Sequence, residues 1–161
     1  MEKHQVLTVL VADDESELLG AVCQLIDWES LGFRLVGRAG NGLDALQLVE
    51  ALQPDFLLTD IRMPFISGTA LTRQAKAVQP LLQVAFLSGY DDFEYAKAGI
   101  EDEIVAYLLK PISMAELTEE LRKIHDKIEK RLASLTRPQG GAEALRMVTA
   151  TMLLDEYARP E

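Results

Sequence analysis

Four places in the 161-residue chain put a chemically useful side chain directly after a short apolar run. Asp13 and Asp14 follow Val6–Ala12, Asp60 follows Phe56–Thr59, Ser88 follows Gln83–Leu87, and Lys110 follows Ala106–Leu109. If those runs are strands of one sheet, three carboxylates, a hydroxyl and an ammonium share one cleft. Carboxylates about 4 Å apart repel by roughly 1–4 kcal/mol per pair, depending on the effective dielectric. A hard divalent cation removes that cost, and oxygen-only ligands suit Mg2+. A carboxylate beside such a cation and a lysine can act as a nucleophile toward a phosphoryl group, while a hydroxyl donates to a phosphoryl oxygen. Each piece alone has a plainer reading. The Asp pair can be a helix cap, Asp60 before Met63-Pro64 a turn initiator, Ser88-Gly89 a loop, and Lys110-Pro111 a strand terminator. The joint pattern points to chemistry, because all four fall at the same edge.

The elements that must position these residues alternate. Val6–Ala12, Phe33–Ala39, Phe56–Thr59, Gln83–Leu87 and Ala106–Leu109 are short, apolar and β-rich, as buried strands are. Between them lie helical patterns: Ser16–Ile26, with Leu18, Leu19, Val22, Leu25 and Ile26 at helical spacing, then Leu43–Leu52 and Thr69–Val78. A fourth helix is expected from about Phe93, capped by Asp91 or Asp92, and a fifth from Met114. Gly40-Asn41-Gly42, Pro54-Asp55, Pro64, Gly68, Pro80 and Gly89 mark the turns. Strands alternating with helices imply an α/β fold with a doubly wound, five-stranded parallel sheet. In such sheets ligands bind outside the carboxyl ends of the strands, where the four chemical residues fall.

Composition bounds the function. At roughly 100–200 residues per domain, the length allows one domain and a short extension. The chain is 48% apolar and 26% charged, with 16 Lys and Arg against 26 Asp and Glu, a net charge of −10. That surface repels nucleic-acid phosphates and anionic membranes. The single Cys23 excludes an intramolecular disulfide and any multi-cysteine zinc site. No segment approaches the roughly 18–20 apolar residues of a membrane span, and Val6–Ala12 ends in Asp13-Asp14-Glu15 rather than a small-residue cleavage site. A cytoplasmic protein with no membrane partner is expected.

The chain resembles the receiver domain of two-component response regulators over about residues 5–125. The matching stretches are Val9–Glu15, Leu57–Pro64, Ser67-Gly68, Leu87–Tyr90 and Tyr107–Pro111. More narrowly, Trp28, Leu31–Phe33, Asn41-Gly42 and Gly89–Lys97 are similar to receivers that precede an AraC-type DNA-binding domain. The resemblance implies a flavodoxin-like (βα)5 fold with strand order 2-1-3-4-5. It implies that Asp60 accepts a phosphoryl group from a sensor histidine kinase in a Mg2+-dependent reaction. Asp14 would bind Mg2+ directly, Asp13 mainly through water, and Asp60 and the backbone carbonyl of Arg62 would complete the protein ligands. Lys110 would pair first with Asp60 and then with the phosphoryl group, across a cis Lys110–Pro111 peptide. Ser88 and Tyr107 would move as the switch, altering the surface formed by the fourth helix, fifth strand and fifth helix. The chain departs from the pattern at Glu103, where relatives often have a glycine ending the fourth helix. Arg62 and Tyr90 add bulk beside the site, from which slow self-dephosphorylation is expected.

Residues 1–135 are expected to form this domain, with an extended fifth helix. Leu117, Leu121, Ile124, Ile128, Leu132 and Leu135 make its apolar stripe, of which about three turns should suffice to cover the sheet. The remainder suits a homodimer seam or interdomain packing. Residues 136–161 read as a linker, Pro138–Gly141, and a helix-prone tail, Ala142–Tyr157, leading toward an output domain beyond this chain that would supply DNA binding and control transcription. Cys23 reads as a structural thiol, and His4 and His125 as surface residues. Arg122, Lys123, Lys127, Lys130 and Arg131, interrupted by Asp126 and Glu129, read as a solvated helix face. Trp28 and Phe33 are expected to pack at the end of the first helix. On this reading the chain catalyses only its own phosphorylation and dephosphorylation. The alternatives are a stand-alone receiver, a pseudo-receiver interaction module, and a Mg2+-dependent phosphatase of the haloacid-dehalogenase type. The last wants an acid/base Asp two residues after its nucleophile, where this chain has Arg62.

Overall fold

Five short buried runs cannot satisfy their backbone groups alone, and they do so by pairing side by side. In the computed structural model, which describes residues 6–89, 91–92 and 104–136, β1 (Leu7–Ala12), β2 (Phe33–Ala39), β3 (Phe56–Thr59), β4 (Gln83–Ser88) and β5 (Ala106–Leu109) form one sheet. Every pairing is parallel, in the order β2-β1-β3-β4-β5. The expected strand order and doubly wound architecture are what the chain adopts. Helices α1 (Ser16–Leu25), α2 (Gly42–Leu52) and α3 (Gly68–Val78) and a C-terminal helix (Met114–Thr136) cover the sheet, with a short 3-10 turn at Glu29–Leu31.

Side chains alternate across a strand, so β1 feeds two cores. Leu7, Val9 and Val11 join Leu19 and Val22 of α1 and Leu117, Leu121, Ile124 and Ile128 of the C-terminal helix. Leu10 and Ala12 face the other way, onto Ala45 and Val49 of α2 and Leu71 and Ala75 of α3. Trp28 packs where α1 ends. Its indole nitrogen donates to the Val22 carbonyl at 3.2 Å, and its ring meets Phe33 edge-on at 5.8 Å.

Local chemistry starts the helices where the turn residues stand. Asn41 accepts from the Asp44 amide at 2.8 Å and Ser67 from the Ala70 amide at 3.2 Å. Ser113 and Glu116 exchange two bonds in a capping box, 3.0 Å and 3.1 Å. Asp91 and Asp92 are already helical rather than in front of a helix at Phe93. The expected helix from Phe93, Tyr90, Glu103, His4 and the stretches Pro138–Gly141 and Ala142–Tyr157 lie outside the described residues. No described helix is long and apolar enough to cross a membrane.

The C-terminal helix differs from the sequence reading in two ways. Burial continues through Ile128, with Leu132 partly packed on the core, farther than three turns. That leaves only the distal end of the apolar stripe away from the sheet. His125 is a core residue, 4% exposed, and not a surface one. It lies four residues from Leu121 and three from Ile128, inside the buried stripe, and meets the Phe33 ring edge-on at 5.1 Å. Gly32 provides the room: a Cβ there would come within 2.5 Å of the His125 Nε2. Cys23 is half-buried, and burial pushes its thiol pKa up, as a structural thiol requires. The helix's outer face is laced with ion pairs, Glu119–Arg122, Glu120–Lys123 and Asp126–Lys130. Two of its cations turn to the sheet side instead: Lys127 donates to the Val105 carbonyl at 2.8 Å and Arg131 to the Gln83 side-chain oxygen at 3.1 Å.

Gly68 opens α3 against the backbone of Asp60: its amide donates to the Ile61 carbonyl at 2.6 Å, and a Cβ there would lie 2.1 Å from the Asp60 carbonyl oxygen. Gly68→Ala is therefore expected to lower unfolding free energy by about 1–3 kcal/mol through overpacking. Chemical denaturation of the variant checks this, and an unchanged midpoint would show that the loop yields without cost.

Candidate functional site

Sheet register decides which residues meet. Ala12 of β1 pairs with Thr59 of β3, and Thr59 with Phe86 of β4, while Ser88 pairs with Leu109 of β5. The next residues, Asp13, Asp60 and Lys110, therefore leave the sheet at one edge. Their amides anchor them there: Asp60 donates to the Ala12 carbonyl at 2.9 Å, Asp13 to Ala39 at 3.0 Å and Lys110 to Ser88 at 2.8 Å. The Lys110–Pro111 peptide is cis.

Asp60 is 5% exposed and Asp13 3%. Asp60 Oδ1 accepts from the Ile61 amide at 2.7 Å and from the Ser88 hydroxyl at 2.5 Å; Oδ2 accepts from Lys110 Nζ at 3.1 Å. The same Nζ lies 3.1 Å from Asp13 Oδ2 and 2.8 Å from Glu15 Oε1. One ammonium thus spends its three donors on three carboxylates. Its own burial lowers the Lys110 pKa, but Glu15, Asp13 and Asp60 outweigh that and raise it, so the ammonium stays charged. Asp13 is pushed up to about 6, first by burial and then by the Asp60 charge, against the pull of the Glu15 amide and Lys110.

Asp13, Glu15 and Asp60 bring carboxylate oxygens within 4.8 Å of one another. With Lys110 the set retains excess negative charge, and it offers hard oxygen donors without sulfur or imidazole. That chemistry fits a divalent cation such as Mg2+. Glu15 was not singled out from the sequence; its adjacency to the Asp pair, with its amide bonded to Asp13 Oδ1 at 2.9 Å, was the available signal. Asp14 is exposed and outside that cluster.

Tyr107 is half-buried, its ring edge-on to Phe86 at 5.9 Å and its hydroxyl donating to the Gly89 carbonyl at 3.1 Å. Burial, then the Asp92 and Asp60 charges, push its pKa up to about 12, opposed by a hydrogen bond with Ser88. Arg62 turns outward: its Nε pairs with Asp92 Oδ1, with the arginine side chain 78% exposed and the aspartate 13%. Asp92 Oδ2 lies 3.1 Å from Ser88 Oγ. The structure thus brings Asp13, Asp60, Ser88 and Lys110 together, sets Tyr107 behind Ser88, and adds Glu15 and Asp92.

The chain is similar to known proteins. Residues 9–122 match the family model of the response regulator receiver domain. The chain is 39% identical over 116 residues to the uncharacterized transcriptional regulatory protein YesN of Bacillus subtilis (strain 168), covering 72% of this chain and 32% of that protein. It is 39% identical over 109 residues to the transcriptional regulatory protein HptR of Staphylococcus aureus (strain N315), covering 68% and 42%. The chain therefore spans about a third to two-fifths of the length of these relatives. Among solved structures, the REC domain of AraT, a response regulator from Geobacillus stearothermophilus, aligns with a TM-score of 0.73 at 33% identity, over 80% of this chain and 99% of that one. A two component transcriptional regulator AraC from Clostridium phytofermentans ISDg aligns with a TM-score of 0.72 at 33% identity, over 79% and 98%.

Burial keeps the Asp13 charge at a cost in metal-free protein. Asp13→Asn is expected to raise metal-free stability near neutral pH by on the order of 1 kcal/mol. Millimolar Mg2+ is expected to raise the wild-type melting temperature and to leave that of the variant nearly unchanged. Thermal melts with and without Mg2+ check both. Equal Mg2+ shifts would remove Asp13 from the cation site.

Proposed function

The chain belongs to the response regulator receiver domain family, and on that premise we propose that it is a phosphoacceptor receiver in which Asp60 takes a phosphoryl group from a sensor histidine kinase. The observation that carries this reading is the buried Asp60 carboxylate, held by Ser88 and Lys110 beside Asp13. Asp60 Oδ2 has Lys110 as its one protein donor among the described residues, against two donors on Oδ1, and is the oxygen that would attack phosphorus. A phosphorus–oxygen bond to Asp60 forms, the phosphorus–nitrogen bond of the phosphohistidine breaks, and the leaving imidazole takes up a proton from solvent.

Asp13 and Asp60, with Glu15 beside them, would hold Mg2+, joined by Asp14 and the Arg62 carbonyl as the family resemblance implies, and the bound cation would supply Lewis-acid stabilisation of charge on the phosphoryl oxygens. Lys110 keeps its charge throughout and can turn from the carboxylates to the phosphoryl group. Ser88 can donate its proton to a phosphoryl oxygen instead of Asp60. Tyr107, whose hydroxyl bonds Gly89 next to Ser88, is placed to follow that movement. Such a local charge event biases a two-state surface over the fourth helix, β5 and the C-terminal helix.

In the whole protein this surface would control transcription through a DNA-binding output domain, as the names of the similar regulators support. A homodimer through the C-terminal helix and a cytoplasmic setting belong to the same reading. Domain limits of 1–135 and 136–161 belong to the same reading. The sequence puts large residues, Arg62 and Tyr90, two positions after Asp60 and Ser88, which supports slow self-dephosphorylation. The phosphatase alternative loses support, because Arg62 stands where its acid would be and pairs with Asp92.

Incubation with acetyl phosphate and Mg2+, followed by intact mass, tests the reading. Wild type is expected to gain one phosphoryl group only when Mg2+ is present, and Asp60→Asn none. An equal gain in Asp60→Asn would move the acceptor elsewhere.

A further inference from the structure

A hydroxyl carries one proton, and Ser88 faces two carboxylates. Its Oγ lies 2.5 Å from Asp60 Oδ1 and 3.1 Å from Asp92 Oδ2, so it donates to one of them at a time. Asp92 has a second partner. Its other oxygen takes the Arg62 guanidinium, from the loop two residues beyond Asp60. One largely buried carboxylate therefore ties the loop after β3 to the segment after β4, with Ser88 between them. Its charge also reaches Tyr107, whose hydroxyl is bonded to the neighbouring Gly89.

These contacts belong to the uncharged state. A phosphoryl group on Asp60 adds negative charge and strong acceptor oxygens next to Ser88. The single Ser88 proton then goes to the phosphoryl oxygen, and Asp92 faces added negative charge with no donor from Ser88. A contact made better in one state than in the other shifts the balance between them. Asp92 gains only before charging.

We propose that Asp92 is a positioning residue that holds Ser88 and Arg62 in the uncharged arrangement and so opposes phosphorylation until Ser88 is released. The inference rests on the receiver reading and deepens it. It assigns a resting-state anchor to the switch, and it makes Arg62 part of that anchor rather than mere bulk at the mouth of the site.

The test is the affinity for beryllofluoride, a phosphoryl stand-in on aspartate, measured by titration calorimetry in Mg2+. Wild type, Asp92→Ala, Ser88→Ala and the double variant form a cycle. Asp92→Ala is expected to bind on the order of three- to tenfold more tightly than wild type. The same substitution on the Ser88→Ala background is expected to give a clearly smaller gain, a coupling that loss of charge alone would not produce. Asp92→Asn, nearly isosteric, is expected to move in the same direction and covers the case in which the alanine variant does not fold. Equal or weaker binding by the Asp92 variants, or equal gains on both backgrounds, overturns the inference and leaves the receiver reading standing. Folded wild type that takes up neither beryllofluoride nor a phosphoryl group overturns both.

Discussion

One ammonium group at the edge of the sheet faces three carboxylates. Lys110 reaches Asp13, Glu15 and Asp60 within 3.1 Å, and two of those three acids are buried. Without the lysine, Asp13 and Asp60 would sit side by side in low dielectric, where like charges repel most strongly. With it, the set is held together but still carries more negative than positive charge. The site is poised to take a cation, and then a phosphoryl group whose charge that cation and Lys110 can meet.

The rest of the fold serves this arrangement. Parallel pairing of β1, β3, β4 and β5 sets the strand ends level, and two cores, one on each face, keep them there. The loop after β3 closes tightly because Gly68 lets the chain pass against the Asp60 carbonyl. That loop has a cost: Phe65 holds φ at 73° and is 80% exposed, a conformation a bulky residue seldom adopts. Asn41, Ser67 and Ser113 stop the neighbouring helices from fraying toward the site.

Much of this was legible in the residues. Buried parallel strands read as continuous apolar runs, so their ends could be located, and at β1, β3, β4 and β5 the functional residue stood at that end or directly after it. Asp13, Asp60, Ser88 and Lys110 were readable for that reason. Glu15 was not, because a glutamate opening a helix after an Asp pair looks like ordinary first-turn charge. Asp92 was hidden in the same way: a potential helix cap and a residue bonded to Ser88 have the same letter. His125 was misplaced because the helical pattern was counted in apolar residues only, while the core accepts an imidazole edge where Gly32 leaves room. The positive φ at Phe65 has no signature in residue type at all.

The most direct test of the account is chemical mapping of the acceptor. After treatment with acetyl phosphate and Mg2+, borohydride reduces an aspartyl phosphate to homoserine, and peptide mass spectrometry locates it. The account predicts homoserine at position 60 and at no other aspartate, with none formed when Mg2+ is omitted. Reduction at Asp13, Asp14 or Asp92 instead, or a stable phosphoryl group that borohydride leaves untouched, would contradict it.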